Sequence, residues 1–233
     1  MKTLHWIELK GVSIFEQLQI EEALLRADER NVCIVNQGSP RAIVMGQTAE
    51  PESVIHMDKA RAEQIPMYHR YSGGGTVIVD SSTLFVTLIM NHDALDVSPF
   101  PEPILRWTCA LYQQAWQIPG FGLRENDYAI GDRKCGGNAQ YLRKNRWAHH
   151  TSFLYDFNPN NMDFLKLPQK RPVYRKDRGH DAFLCRLKDH GLTMASMASA
   201  LKGELVKQFY IEDSKLLDVR QIAHRRSTHQ LCS

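Results

Sequence analysis

The chain has 233 residues, of which 43% are hydrophobic and 24% charged, and its net charge is +3. That length can bury a substantial core in one large or two small domains, and the balance excludes a disordered chain. The charge is too mild to argue for nucleic acid by itself, although it suits an acidic macromolecular partner.

The opening "MKTLHWIELKG" lacks the apolar stretch of a secretory leader, and no apolar run is long enough to span a bilayer. Ser13 followed by Glu16 forms a capping-box pattern. The segment after it, through Arg30, places Ile14, Leu18 and Leu25 on one helical face. Two β-branched runs, Val32–Val35 and Arg41–Gly46, are split by the turn cluster "NQGSP" and predict a hairpin. "PESVIHMDKARAEQ" predicts a helix opened by Pro51. The strands Thr76–Asp80 and Thr83–Met90, only two serines apart, predict antiparallel neighbours.

Further along, "PILRWTCALYQQAW" places Ile104, Trp107, Thr108, Leu111 and Ala115 on one helical face, and "DYAIG", "RWAHH" and "SFLYDF" read as strands. Near the end, Met194, Met197, Leu201 and Leu205 recur at helical spacing. The stretch Pro168–His180, dense in Pro, Lys and Arg, predicts a mobile surface loop or a seam before a small helical part. Short strands interleaved with helices imply an α+β domain with a mixed, largely antiparallel sheet flanked by helices. The cysteines, Cys33, Cys109, Cys135, Cys185 and Cys232, contain no C-x-x-C pair. They predict reduced thiols in a cytoplasmic setting rather than a disulfide framework or zinc site.

Three stretches carry chemistry. In "HRYSGGGTVIVD" (His69–Asp80), three consecutive glycines have a heavy entropic cost. No Lys-Ser/Thr follows, so this is not a P-loop, and a β-rich run stands where a dinucleotide fingerprint needs a helix. An anion-binding nest, with Arg70 and Ser72 adding charge and a hydroxyl, and a plain hairpin turn both remain open. In "NDYAIGDRKCGGNAQ" (Asn126–Gln140), Lys134 precedes the pair Gly136–Gly137, where an ammonium can meet a carboxylate or phosphate. In "HHTSF" (His149–Phe153), adjacent histidines enter a strand, so at most one faces a pocket.

Together and in this order, "RYSGGGTVIVD", "ND…RKCGGNAQ" and "HHTSF" resemble the lipoate–protein ligase family of the biotin/lipoyl ligase superfamily, with "IVMGQTAEP" a weaker match. The resemblance covers roughly residues 14 to 157. It implies a single ligase-type catalytic domain over residues 1–233, without room for a full C-terminal accessory domain. It also implies ATP and Mg2+ as cofactors and lipoic acid, or octanoate, as substrate. The carboxylate would be joined to the α-phosphate of ATP, and the acyl group then passed to a lysine. The acceptors would be lipoyl domains of 2-oxoacid dehydrogenase complexes or the glycine cleavage H protein, with a separate small accessory protein as a further partner.

The resemblance assigns catalysis to Lys134 and Asp127, with Asp127 also a magnesium ligand. Arg70, Ser72, Gly73, Gly74, Gly75, Thr76 and Val77 would lie along the acyl-adenylate, and Asn126, Gly137, Ala139 and His149 would complete the pocket. "TVIV" and "IVMG" would line a slot for the acyl chain.

Two departures stand out. Val79 occupies the place of the family's histidine, and Cys135 follows the lysine directly. Two other readings remain: an ATP-independent octanoyltransferase working through a cysteine thioester, and a non-catalytic module docking an acidic partner through "LRKNR" and "QKRPVYRKDR". The former places its cysteine where this chain reads "PGFGLREN" or "LKLPQKRP". Nucleic acid is poorly supported, because only Tyr174 interrupts the basic run. The Gly-Arg-rich loop of biotin ligases is absent.

Overall fold

Among the described residues, half of the strand pairings join strands that are not consecutive in the chain. The computed structural model describes residues 1–167, 171–215 and 226–231. A large sheet runs β11 (Phe209–Asp213), β1 (Lys2–Lys10), β2 (Asn31–Gln37), β6 (Thr83–Asn91), β10 (Arg146–Leu154), β9 (Arg133–Leu142), β8 (Asp127–Ile130), β7 (Phe121–Arg124). Its first three strands are parallel and the rest antiparallel. A smaller sheet runs β12 (His229–Gln230), β4 (Met67–His69), β3 (Ala42–Met45), β5 (Val77–Val79). The helices are α1 (Ile14–Ala27), α2 (Pro51–Val54), α3 (Met57–Ala62), α4 (Pro101–Trp116), α5 (His180–Phe183) and α6 (Met194–Leu205). The fold is the expected α+β arrangement of mixed sheets flanked by helices.

Strand alternation distributes the core. On β6, Leu84, Val86, Leu88 and Met90 face α4 and α6, where they meet Ile104, Leu111, Tyr112, Trp116, Leu201 and Leu205. The intervening Phe85 and Ile89 face α1 and the small sheet, meeting Leu18, Leu25, Val44 and Val79. Helix α6 therefore belongs to the main core rather than to a part beyond a seam. Helix α1 starts as predicted, the Ser13 side chain accepting the Glu16 N–H at 3.2 Å.

Both predicted hairpins are wrong in partner, for one reason. β2 and β3 lie in different sheets, and so do β5 and β6. Instead β2 pairs with β6 and β3 with β5, both antiparallel, so one long two-stranded ribbon passes through both sheets. At the crossing the Gly38 N–H donates to Thr83 O at 2.9 Å and the Ser39 N–H to Asp80 O at 3.1 Å. Gly38 has φ +84°, and a Cβ there would stand 2.7 Å from Ser81 O. The glycine permits the close approach of the two crossing strands.

The helix predicted from Pro51 is interrupted at Ile55 and His56. Ile55 bridges Leu165, and the His56 N–H donates to Phe164 O at 2.9 Å. "RWAHH" and "SFL" are one strand, β10, while β1 and most of β9 were not predicted as strands. Residues 168–170 of the basic stretch lie outside the described residues, as does Cys232. The remainder is a held segment rather than a loose loop: Val173–Arg175 forms a 3-10 turn and Arg175 is buried.

Candidate active site

A cavity of about 760 Å³ opens between α1, the small sheet and the inner face of the large sheet, a size usual for small-molecule sites. One wall is apolar, made by Ile14, Leu18, Val44, Val77, Val79 and Phe85. Val44, Val77 and Val79 are thus on the slot as expected. Ile78 and Met45 point away into a third cluster with Ile43 and Ile55, because alternate residues of a strand face opposite ways.

The glycine loop after β4 forms a second wall. Arg70 is buried, and burial draws its guanidinium down to about 10. It donates through Nε to Ser72 Oγ and Gly73 O, both at 3.1 Å, and through Nη2 to Gly73 O at 2.6 Å. The loop is fastened to β3 by Arg70 N–H on Met45 O (3.0 Å) and Gln47 N–H on Ser72 O (2.9 Å). The glycines differ in what they are for. Gly74 has φ +100°, and a Cβ there would lie 2.7 Å from Arg70 Nη2, so the fold needs that residue bare. A Cβ on Gly73 or Gly75 would meet nothing within 4 Å. Among the described residues no atom explains their bareness, and both line the cavity.

Opposite the loop stands Lys134 on β9. Its Nζ is 2.7 Å from Asp127 Oδ1 on β8, and a Cβ on Gly137 would come within 3.3 Å of that ammonium. Tyr174 OH donates to Asp127 Oδ2 at 2.9 Å, and the Tyr174 N–H donates to Glu125 Oε1 at 3.1 Å. The basic segment is thereby strapped over this end of the cavity, where Arg171 and Pro172 join the lining. Burial, then the neighbouring Asp127 carboxylate, raises the Tyr174 phenol. Asn138 Nδ2 donates to Asn126 O at 2.7 Å, fixing the turn that presents Asn126.

The cavity also has a polar patch that sequence reasoning missed. Glu21 of α1 is fully buried and receives hydrogen bonds from Thr87 Oγ1 (2.6 Å), Gln17 Nε2 (2.8 Å), His150 Nδ1 (2.9 Å) and Tyr71 OH (3.2 Å). Burial alone would raise its carboxyl; the hydrogen bonds from His150, Thr87 and Gln17, with the His150 charge interaction, outweigh it and hold Glu21 below the ordinary value. His150 Nε2 lies 2.7 Å from Ser72 Oγ, so one hydrogen-bond chain links Arg70, Ser72, His150 and Glu21. The signal in the sequence was a carboxylate inside the apolar stripe Ile14, Leu18, Glu21, Leu25.

Most of the predicted residues come together here. Arg70, Gly73, Gly74, Gly75, Thr76, Val77, Asn126, Asp127, Lys134, Gly137 and Ala139 all line the cavity. Two placements differ from the expectation. Ser72 is fully buried behind the loop, its hydroxyl turned to Arg70 and His150 rather than into the cavity. His149 faces away, toward α4, with Nε2 2.9 Å from Tyr128 OH and Nδ1 3.0 Å from Gln140 Nε2. Burial first, and then the neighbouring His150, draws His149 down to about 3. The strand alternation that turns His149 into the core turns His150 onto the cavity. Asp127 keeps its place on the cavity, with Lys134 on one carboxylate oxygen and Tyr174 on the other. Among the described residues no cluster of three or more His, Cys, Asp or Glu is arranged to hold a metal.

Cys135 is buried on the far face of β9, packed among Tyr128 and Phe153, and no cysteine is among the described residues lining the cavity. No helix among the described residues is long and apolar enough to cross a membrane.

Residues 13–206 match the model of the lipoyl protein ligase A/B catalytic domain. The chain is 25% identical over 245 residues to the inactive lipoate–protein ligase 2 of Plasmodium falciparum, covering 79% of this chain and 63% of that protein. Its match spans 43 to 64% of the length of the first curated relatives. Two solved structures share the fold. One is a lipoate-protein ligase A bound with ATP, at TM-score 0.74 and 17% identity, covering 92% of this chain and 89% of that one. The other is the bi-partite lipoate protein ligase of Thermoplasma acidophilum described with its E2 lipoyl domain, at TM-score 0.75 and 17% identity, covering 93% and 88%.

Proposed function

The chain belongs to the lipoyl protein ligase A/B catalytic-domain family, and from that premise we propose that it joins lipoate or octanoate to the α-phosphate of ATP and passes the acyl group to a lysine of a lipoyl domain. One observation carries the reading: an ion-paired ammonium, Lys134 on Asp127, faces two glycines whose bareness serves no contact among the described residues, across a cavity with one apolar wall.

The apolar wall suits an acyl chain, and its carboxylate then falls between Lys134 and the 73–76 backbone. A carboxylate is a poor electrophile, and two anions must be brought together before the first bond forms. Lys134, a compact charge with three donors, offsets their repulsion, exchanging Asp127 for the incoming oxygens. As the carboxylate oxygen attacks the α-phosphorus and pyrophosphate leaves, charge grows on the phosphoryl oxygens, where fixed donors at Lys134 and the loop N–H groups stabilise it most. The acceptor amine next attacks the acyl carbon, and AMP leaves with the bonding pair. Asp127, freed from Lys134, is placed to take the amine proton.

The absence of cysteine among the described cavity residues weighs against the thioester transferase. The likeness to an inactive lipoate–protein ligase, and the chain's partial span of its relatives, make the activation half-reaction the step to examine. The pure chain is incubated with a lipoyl domain and lipoate, with and without ATP, and with synthetic lipoyl-adenylate, and the acceptor is weighed by mass spectrometry. Acyl addition that requires ATP or the adenylate supports the reading. Transfer from the adenylate alone places the activation step with a separate accessory protein, and ATP-free transfer from an octanoyl carrier would replace the ligase with the transferase.

A further inference from the structure

Behind the cavity, two thiols that the proposed reaction does not use stand side by side. Residues 184 and 134 form a parallel bridge, and the Cys185 N–H donates to Lys134 O at 2.9 Å. The next pair in that register is Cys135 and Cys185. Neighbouring strands lie about 4.8 Å apart, within the Cα separation that a disulfide spans. Both side chains lie on the helix-facing side of the sheet, Cys135 within the core cluster and Cys185 packed against it. Cys135 is fully buried, whereas Cys185 is partly open and its Sγ donates to Arg133 O at 3.3 Å.

We propose that Cys135 and Cys185 form a reversible disulfide site, which takes a small disulfide oxidant and fastens the strand of Lys134 to the end of the strap that carries Tyr174. The asymmetry of the pair sets the order of events. The partly exposed Cys185 thiolate attacks one sulfur of the oxidant, R–S–S–R, forming a mixed disulfide and releasing one RS⁻. Cys135 then gives up its proton, attacks the Cys185 sulfur and releases the second RS⁻. Two protein thiols are oxidised and one oxidant is reduced to two thiols. A thiol–thiol hydrogen bond from Cys135 holds Cys185 below the ordinary thiol value, which suits it to the first attack; burial raises Cys135, which suits it to the second. The cysteines Cys33 and Cys109 are buried elsewhere.

The test oxidises the full chain, carrying Cys232→Ser so that the last cysteine does not compete, with oxidised glutathione. Free thiols are then alkylated under denaturing conditions and the chain is peptide-mapped. The expected result is one cross-linked peptide joining Cys135 to Cys185, removed by dithiothreitol, with Tm raised by roughly 5 °C in the oxidised form. Cys135→Ser should stop at a glutathione adduct on Cys185, and Cys185→Ser should leave Cys135 unmodified. Full alkylation of both thiols after oxidation, or a glutathione adduct that persists on Cys185 in the unsubstituted pair, would overturn the proposal. The readout does not involve acyl transfer, so it stands or falls apart from the proposed reaction.

Discussion

His149 offers a quantitative check on which of the two adjacent histidines is core. It is fully buried, with a folded value of about 3 against 6.5 when exposed. The folded state thus refuses a proton that the unfolded chain accepts, and stability falls as pH drops below 6.5 toward 3. Between pH 7.5 and 4.5 the unfolded chain gains nearly a full proton at this site and the folded chain almost none. Two pH units below 6.5, at 1.36 kcal/mol each, make the loss about 3 kcal/mol. His149→Gln removes that liability while losing about 1 kcal/mol of hydrogen bonding to Tyr128 and its neighbours. Urea unfolding of both proteins at pH 7.5 and 4.5 measures the difference. The variant should be the less stable at pH 7.5, and the more stable, by about 2 kcal/mol, at pH 4.5. A gap between the two proteins that does not change with pH would refute the placement of His149 in the core.

The remaining predictions concern the cavity. Gly46→Ala puts a Cβ 2.3 Å from Gly74 O, so it should displace the glycine loop at a cost of about 1–3 kcal/mol, read as a lower urea midpoint. Gly73→Ala meets nothing, so its stability should stay within about 0.5 kcal/mol while binding of an acyl-adenylate weakens at least tenfold by calorimetry. Undiminished binding would remove the glycine wall from the site. Tyr174→Phe loses a hydrogen bond to a carboxylate, so it should slow acyl transfer more than it lowers Tm, which would shift by only a few degrees. Glu21→Gln breaks a four-donor network and should destabilise the chain by about 3 kcal/mol at pH 7. Because the folded Glu21 value lies below 4.5, its contribution is present above pH 4.5 and fades as pH falls through the lowered value. A chain carrying Glu21→Gln should therefore lose less stability in acid than the unsubstituted one.

Local signals found what lies close in sequence. The cap at Ser13, the apolar stripes of α4 and α6 and the β-branched runs at 32–35, 41–46 and 76–80 all fall on elements, the last two strands each one residue shorter at both ends. Strand partners were another matter. Two serines between β5 and β6 read as a hairpin turn, but the chain uses that length to leave one sheet for another, a choice made by the Gly38–Ser81 crossing far away in sequence. The break at Ile55 has the same origin, a tertiary bridge to Leu165 that overrides local helix preference.

The site divides along the same line. Its contiguous motifs, the 70–77 loop and the 126–139 hairpin, were legible because glycine and lysine cluster there. Glu21, Thr87 and Tyr174 were not: Glu21 and Thr87 sit in segments whose apolar residues read as core, and Tyr174 touches the site through Asp127. The histidine pair shows the limit of alternation: period two says that one of them faces the pocket, and only the register of β10 against β6 and β9 says that it is His150.

The central claim is tested most directly at Lys134, whose ammonium is held 2.7 Å from Asp127 at the heart of the cavity. The measurement is ATP- or adenylate-dependent acylation of a lipoyl domain by Lys134→Ala, followed by intact mass, with Tm recorded alongside. The proposed chemistry predicts transfer reduced by at least about a thousandfold in a chain whose Tm stays within a few degrees of the unsubstituted protein. Turnover equal to that of the unsubstituted chain would contradict it.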